Sequence, residues 1–511
     1  MRRYDSRRGP LLLLLALAPL AAGACDDEPT GPDGGGDDAL VPAAATITAA
    51  DVAARVGVLA DDSMKGRDTP SQGLEWAASY IARTLESAGL EPAGTDGYLQ
   101  RYEYVYDRRD DGEARLESAG EGGPELVHGR DFVMVAGERG EATGAVLWAG
   151  SPAESPDAGG LDMGGRVVLY DLPVSRLDLP ALEATIDAEV ATSGGGASAV
   201  GFLVSESFPE SEMARAAGFT ERWSRPVPMF WVREPAADAL LASDGVDLAE
   251  IRNGGPRTTE ARWRVRGLFT SEVSSPPNVV ATIRGSDPSV SDQYVVVSAH
   301  FDHNGAGIPE ASGDSIYNGA DDNASGTAAV LEVAEALASL ETAPARSVLF
   351  LLVSGEEKGL VGSSRFVASP TVPLAAMVAD VNMDMVGRND PGTILAVGGS
   401  YSTLGPVAAS LAADKEDLGL SVVLDPGVDD HGFTGSDNLV FACRDIPALY
   451  LHSGLHEDYH RASDELALLD TDKVARVARL AFYLAHHVAD AAEVPSWTDA
   501  GRDAIDGFPC R

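Results

Sequence analysis

The sequence predicts an α/β fold in which helices flank a mostly parallel mixed sheet, with a β-rich segment inserted ahead of the main part of that sheet. Short apolar runs rich in Val, Leu and Ile alternate with amphipathic segments of helical length through the second half of the chain. Strand–helix alternation of this kind is typical of parallel sheets that are covered by helices on both faces. Between residues 120 and 252, short strand-like runs recur around a single helical segment, which indicates a separate unit.

The N-terminal segment has the three-part pattern of a secretory signal. Basic residues precede the apolar run 11–17, and small residues follow up to Cys25. The run is too short to cross a bilayer, and we find no other segment that is long and apolar enough to do so. We therefore expect residues 1–24 to be a signal peptide and the protein to be exported. The ending AGAC resembles a bacterial lipobox, so Cys25 is a candidate for lipidation and membrane attachment; the alternative is an ordinary signal peptide and a secreted or periplasmic protein.

Composition indicates a tether after the signal and leaves one cysteine pairing open. Residues 25–45 are acidic and rich in Gly and Pro, which predicts a flexible tether. Cys443 and Cys510 are the remaining cysteines. In an oxidising compartment they are able to form a disulfide that ties down the C-terminal tail, 493–511, and two free thiols are the alternative.

The overall charge argues against one class of partner. The chain has 38 basic and 79 acidic residues, for a net charge of −41. Such a surface repels phosphate backbones, so we expect no binding to nucleic acid.

The folded part divides into three stretches. Residues 46–119 carry two helical stripes and a strand near 99–106, and are predicted to open the main α/β domain. Residues 120–252 form the inserted unit, and residues 253–492 hold most of the strands and helices of the main domain.

The inserted unit resembles a known module. Its GRVVLYD strand, the helical stretch 182–192, and the GASAVGFLV and PVPMFWV strands are similar to those of the protease-associated domain. A β-rich insertion with no special role is the alternative.

Polar side chains follow successive apolar runs of the main domain. After the run 294–297 come His300 and Asp302, and the other candidates end later runs or lie in the loops between them: Asp321, Glu356, Glu357, Asp384 and His460. Taken singly, each is explained as a helix cap, a turn residue or a solvated loop residue. Together they are expected to meet at one edge of the sheet, where a divalent cation relieves the repulsion between carboxylates. A His/Asp/Glu set without cysteine suits zinc.

Five motifs in this region resemble one enzyme family. In order along the chain they are AHFDH, GADDNASG, SGEEKGLVGSS, NMDMVGR and YHRASD, within residues 270–490. They are similar to those of the secreted di-zinc aminopeptidases, which include bacterial leucyl aminopeptidase and are related to the glutamate carboxypeptidase II and carboxypeptidase Q groups. The resemblance implies a zinc-peptidase fold, two zinc ions and peptide substrates.

The resemblance also implies a role for each candidate. His300 and Asp384 would bind one zinc, Glu357 and His460 the other, and Asp321 would bridge both. Glu356 would be the general base that takes a proton from the attacking water, and Asp302 would orient His300. Asp322 is expected to support the turn, and neither His303 nor His456 is expected to bind metal.

Exopeptidase activity from the N-terminus is the function that the motifs favour. A dipeptidase or carboxypeptidase of the same fold is the first alternative, with Arg388 or Arg461 as candidates for holding a substrate carboxylate. A glutaminyl-cyclase-like enzyme with one zinc and a non-catalytic binding protein are weaker alternatives, because every proposed ligand and the proposed base are present.

Overall fold

A computed structural model of the protein describes residues 37–109, 114–120, 122–136, 140–151, 162–172, 196–206, 208, 213, 227–267, 269–307, 309–310, 312–425, 432–508 and 510. The predicted signal peptide, Cys25 and the helical stretch 182–192 lie outside the described residues.

The strands are short, and most were expected from apolar runs. They are β1 Glu91–Pro92, β2 Leu99–Arg101, β3 Tyr104–Arg109, β4 Arg115–Ser118, β5 Phe132–Ala136, β6 Gly140–Gly150, β7 Val167–Leu172, β8 Ala199–Val204, β9 Met229–Arg233, β10 Arg257–Gly267, β11 Phe269–Ser274, β12 Pro277–Ile283, β13 Tyr294–His300, β14 Gly305–Ala306, β15 Ile316–Tyr317, β16 Ser347–Val353, β17 Met377–Met383, β18 Thr393–Val397, β19 Ser421–Leu424 and β20 Ala448–His452.

Side chains cap the N-termini of some of the described α-helices. They are α1 Asp37–Ala45, α2 Ala49–Leu59, α3 Gln72–Ser87, α4 Glu234–Ser243, α5 Leu248–Gly254, α6 Gly326–Ala338, α7 Val361–Ala368, α8 Leu404–Asp414, α9 Asn438–Ala442, α10 Thr471–Asp490 and α11 Asp499–Ile505. The side chain of Asp470 accepts a hydrogen bond from the Lys473 amide at the start of α10, and Ser71 does the same for Leu74 in α3.

The main sheet has parallel strands at its centre. In the described part of the chain it contains nine strands, in the order β1–β12–β16–β13–β17–β20–β18–β19, with β2 beside β12. The central strands β16, β13, β17 and β20 are parallel, whereas β12 runs antiparallel to β16 and β18 runs antiparallel to β20. The predicted α/β fold with a mixed sheet is thereby confirmed, but the sheet is parallel only at its centre and between β18 and β19, and its other described pairs are antiparallel.

Both faces of this sheet are buried, which explains the continuous apolar runs. Along β13, Val295 and Val297 pack into a core that is shared with α2, α3, α6 and α10. Val296 packs into a second core on the opposite face, which α9 also helps to form. Because side chains alternate between faces, a strand that is covered on both sides must be apolar at every position.

The inserted unit contains a second sheet. Its seven described strands have the order β4–β10–β6–β7–β8–β9–β5 and span residues 115–267. The sheet therefore extends past both predicted bounds of the insertion, 120–252, because β4 and β10 pair with each other. The likeness to a protease-associated domain stays a prediction.

The predicted tether is wrong for residues 37–45. These residues form α1, and Ala43 and Ala44 are buried in the core that α10 shares. Their alanine content favours a helix. Burial of the small alanine side chains stabilises this helix, although the acidic composition of the segment favours a solvated chain. Among the described helices, none is by itself long and apolar enough to span a membrane, although the bent pair Ala39–Ala45 and Ala49–Leu59 meets that test by length and composition.

The C-terminal tail is tied to the main domain by a disulfide. Cys443 and Cys510 are bonded, with their Cα atoms 5.3 Å apart, which decides the pairing that the sequence left open. Two residues before Cys510, the ring of Phe508 stacks on that of Phe433 with centroids 5.2 Å apart.

Candidate metal centre

The candidate site lies at the carboxyl edge of the four central parallel strands. His300 is the last residue of β13, Glu356 and Glu357 follow β16, and Asp384 follows β17. Asp322 comes from the turn 320–325, which leads into α6. These side chains therefore reach one edge of the sheet.

Two groups of side chains at this edge are close enough to hold metal ions. The first consists of His300, Asp322 and Asp384. His300 Nε2 lies 3.3 Å from Asp384 Oδ1 and 3.5 Å from Asp322 Oδ1. The other Asp384 oxygen, Oδ2, accepts a hydrogen bond of 2.8 Å from the Ser436 hydroxyl, which fixes the orientation of the carboxylate.

The second group consists of His303, Asp322, Glu357 and His460. His460 Nε2 lies 3.0 Å from Asp322 Oδ2 and 3.2 Å from Glu357 Oε2. His303 Nδ1 lies 2.7 Å from Glu357 Oε1, so an imidazole that we did not expect to bind metal belongs to this group. Burial pushes the pKa of Glu357 upward, but the His460 and His303 imidazoles outweigh it and hold that pKa well below its usual value.

Asp322, and not Asp321, belongs to both groups. Asp322 directs Oδ1 toward His300 and Oδ2 toward His460, whereas Asp321 belongs to neither group. Asp321 Oδ1 accepts a hydrogen bond of 2.7 Å from the Gly387 amide, and its Oδ2 lies 3.3 Å from His456 Nε2. The prediction that Asp321 bridges the groups is therefore corrected to Asp322, because these contacts turn the Asp321 carboxylate away from the cavity.

The side chains present fit zinc. Asp384 Oδ1 is buried without a hydrogen-bond partner among the described residues, as expected of an atom that a cation would satisfy. Imidazole nitrogens and carboxylate oxygens, with no cysteine in either group, are donors that suit zinc. Packing Asp322, Glu357 and Asp384 this closely requires a compensating positive charge.

Glu356 lies beside both groups but belongs to neither. Its Oε2 is 4.0 Å from His300 Nε2, and its side chain lines the same cavity as Asp322 and Asp384. Burial raises the pKa of Glu356 well above its usual value, and the Asp437, Glu357 and Asp384 carboxylates raise it further. A carboxyl group with a raised pKa beside a metal site has the character of a general base.

Asp302 forms hydrogen bonds that connect parts of the site. Its Oδ2 accepts a hydrogen bond of 3.1 Å from the Thr69 hydroxyl, and its Oδ1 accepts one of 3.2 Å from the Glu356 amide. The shorter contact to His300 Nδ1 comes from the Asp302 main-chain oxygen, at 3.2 Å, with the carboxylate Oδ1 at 3.7 Å. Asp302 thus orients His300 mainly through its backbone and links it to the Glu356 loop through its carboxylate.

A buried arginine from the N-terminal stretch holds two of the site's loops. Arg67 is fully buried and donates hydrogen bonds to the main-chain oxygens of Phe301, Asn318 and Gly319, at 2.7, 2.8 and 3.1 Å. Burial lowers its pKa to about 10, against the opposing effect of Asp302 and other nearby carboxylates. Arg67 is therefore charged at neutral pH and joins the end of β13 to the turn that carries Asp322.

Replacing Arg67 by Met is expected to lower the free energy of unfolding by about 3 kcal/mol or more, since several buried carbonyls lose their donors. Chemical denaturation measures this change. Arg264→Met is the matched control, because Arg264 is 41% exposed and pairs with surface glutamates, so its unfolding midpoint should hardly move. Equal effects of the two substitutions would contradict the role given to Arg67.

The wall of the cavity includes residues to which the sequence analysis gave no role. Beside the metal-binding candidates it is formed by Met385, Gly435, Tyr450, His452, Leu455 and Tyr459. Burial raises the pKa of Tyr450 well above its usual value, so its hydroxyl keeps its proton. Four of them lie at the end of β20 or in the following loop, and this position is the signal that sequence reasoning left unused: Tyr450, His452, Leu455 and Tyr459.

Comparison with known proteins relates the region that holds this site to a peptidase family. A family profile described as peptidase family M28 matches residues 278–485, which include every side chain of the two groups. A probable zinc metalloprotease of Pyrenophora teres f. teres is 36% identical over 114 residues, which cover 22% of this chain and 23% of that protein. Leucine aminopeptidase 2 of Trichophyton equinum is 25% identical over 345 residues, covering 62% of this chain and 63% of that protein.

A solved structure shows the same fold over nearly the whole chain. The aminopeptidase from Aneurinibacillus sp. strain AM-1 superimposes with a TM-score of 0.63 and 18% sequence identity, over 89% of this chain and 97% of that one. The chain spans less than a quarter of the first curated relative. Residues 278–485 of this chain match peptidase family M28, and the chain shares the fold of a solved aminopeptidase.

Proposed function

We propose that the protein is an exported aminopeptidase that removes N-terminal residues from peptides with the help of two zinc ions. The observation that carries this proposal is the Asp322 carboxylate, whose two oxygens face separate groups of imidazole and carboxylate ligands. A carboxylate shared in this way would help to hold a metal ion in each group.

Each group would hold one ion. His300 and Asp384 would bind the first, Glu357 and His460 the second, and Asp322 would contribute one oxygen to each. His303 Nδ1 and the Asn304 side chain both contact Glu357 Oε1, at 2.7 and 3.2 Å, and would keep that carboxylate in place.

When bound, zinc supplies Lewis acidity, which lowers the pKa of water and polarises the substrate carbonyl. Glu356 Oε2 takes a proton from the attacking water as the new carbon–oxygen bond forms. Glu356 then returns that proton to the nitrogen of the leaving amine as the carbon–nitrogen bond breaks. The products are a free amino acid and a peptide that is one residue shorter.

Two observations favour an aminopeptidase over a carboxypeptidase. The relative from Trichophyton equinum is named a leucine aminopeptidase, and the structure from Aneurinibacillus sp. is titled an aminopeptidase. Arg388, a candidate for binding a substrate carboxylate, is already paired with Asp458 at 2.6 Å and is largely buried.

The proposed location rests on the N-terminal pattern and on the disulfide. The signal-like segment leads to Cys25, whose lipidation would anchor the protein at the cell envelope. The bond between Cys443 and Cys510 fits an oxidising compartment outside the cytoplasm.

Hydrolysis of leucine p-nitroanilide tests the proposal. We expect the protein to cleave this substrate, to leave N-acetyl-leucine p-nitroanilide and N-blocked dipeptides intact, and to lose activity with 1,10-phenanthroline until zinc is restored. Cleavage that is insensitive to chelation, or cleavage confined to the N-blocked substrates, would contradict it.

A further inference from the structure

A histidine in the cavity wall has a ring nitrogen that the proposed mechanism does not use. His452 is the last residue of β20, is 2% exposed, and lines the same cavity as His300, Glu356 and Asp384. Its Nδ1 lies 2.9 Å from the main-chain oxygen of Asp384. The imidazole is therefore held against the strand end that carries one of the proposed ligands.

These contacts determine which nitrogen carries the proton. A main-chain oxygen only accepts hydrogen bonds, so His452 Nδ1 must be the protonated nitrogen. The Tyr450 hydroxyl, 3.0 Å from the same Nδ1, then accepts from it or lies beside it. In the neutral ring Nε2 keeps its lone pair, and it is buried with no hydrogen-bond partner among the residues that the structure describes.

A buried acceptor in a binding cavity calls for a donor from the ligand. Nε2 of His452 is not among the atoms of either metal-binding group, so it is not assigned to a metal there. In the neighbouring cavity wall Asp322 and Asp384 are assigned to zinc, which leaves the Glu356 carboxylate to favour a donor with positive charge. The group that combines several N–H donors with positive charge on every peptide with a free N-terminus, whatever its side chains, is the α-amine.

We propose that His452 Nε2 accepts a hydrogen bond from the α-amine of the substrate's N-terminal residue, which makes His452 a specificity-determining residue. This inference rests on the proposed aminopeptidase function and deepens it. It assigns the preference for a free N-terminus to His452 as well as to the metal centre.

Two substitutions separate the two nitrogens of the ring. In His452→Asn the amide can still donate to the Asp384 main-chain oxygen, but no acceptor remains at the position of Nε2. In His452→Gln the longer side chain places an acceptor near the position of Nε2 and gives up the bond to Asp384. Zinc content, measured by mass spectrometry, should be unchanged in both variants because neither removes a proposed ligand.

Binding and kinetics are then compared with matched ligands. For the zinc-loaded Asn variant we expect KM for leucine p-nitroanilide to rise about 10- to 100-fold, the range for losing a hydrogen bond to a charged group, with kcat little changed. Calorimetry should show the same loss for L-leucinol and no change for 4-methylpentan-1-ol, which lacks the amine. The Gln variant should stay closer to the wild type in both measurements.

The outcomes distinguish this inference from the proposed function. Any one of four results would overturn the role of His452. The Asn variant could bind leucinol as tightly as the wild type, or lose equal affinity for both alcohols. The Gln variant could lose as much leucinol affinity as the Asn variant, or the wild-type protein could fail to bind leucinol. A wild-type protein that binds leucinol but does not cleave leucine p-nitroanilide would contradict the proposed function, and the Asn variant's leucinol affinity would still decide the role of His452.

Discussion

Replacing Glu356 by Gln is expected to lower kcat for leucine p-nitroanilide by about 10²–10⁴-fold, the range that general acid–base catalysis contributes. The amide cannot take the proton from the attacking water or return it to the leaving amine. Zinc content should stay at the wild-type value, because Glu356 belongs to neither metal-binding group. Steady-state kinetics and metal analysis on the same preparation measure both effects.

Glu457→Gln is the matched control for this experiment. Glu457 is exposed in the loop that carries His460, so the same chemical change there should leave kcat and zinc content near wild type. Near-normal turnover in the Glu356 variant would show that another group moves the proton. Loss of zinc from that variant would show that Glu356 binds metal.

Asp322→Asn is expected to abolish most activity and to weaken metal binding more than the roughly 10–100-fold that follows loss of a ligand's hydrogen-bonding partner. The substitution removes the negative charge from the only described side chain that belongs to both groups. Asp321→Asn, one residue away, keeps an oxygen that can accept from the Gly387 amide, so its effect should stay below that range.

Titration with a chromogenic zinc chelator compares the two aspartate variants directly. The expected order of zinc affinity is wild type, then Asp321→Asn, then Asp322→Asn. The reverse order for the two variants would restore Asp321 as the shared ligand and contradict the geometry of the turn.

Much of the fold was predictable because its physical causes are local. β13 and β16 are buried on both faces, so each reads as a continuous apolar run. The parallel pairing of these strands brings their carboxyl ends together, and this is why His300 and Glu357 were expected to meet although they lie far apart in the sequence. In α1 the composition and the packing conflict. The composition of residues 25–45 predicted a tether, whereas Ala43 and Ala44 are buried in the core.

The choice between Asp321 and Asp322 depends on contacts that a motif does not contain. Both residues are buried aspartates in the same turn, and their side chains point in different directions. The Gly387 amide and His456 hold Asp321, and both come from parts of the chain that are far away in the sequence. A one-residue difference within a motif therefore decided which carboxylate reaches the cavity.

Arg67 and His452 were missed for a related reason. Arg67 acts through main-chain oxygens, and such acceptors leave no trace in the residue types around them. His452 became a candidate only when the Asp384 main-chain oxygen occupied one ring nitrogen and the cavity left the other without a partner. Neither set of contacts corresponds to a residue spacing that a sequence motif can reveal.

Anomalous diffraction at the zinc absorption edge, on crystals of the zinc-loaded wild-type protein, tests the central claim most directly. The arrangement of ligands predicts two peaks about 3.5–4 Å apart with the Asp322 carboxylate between them. One peak should contact His300 and Asp384, and the other Glu357 and His460. A single peak, or a pair of peaks bridged by Asp321, would contradict the two-metal site that Asp322 is proposed to join.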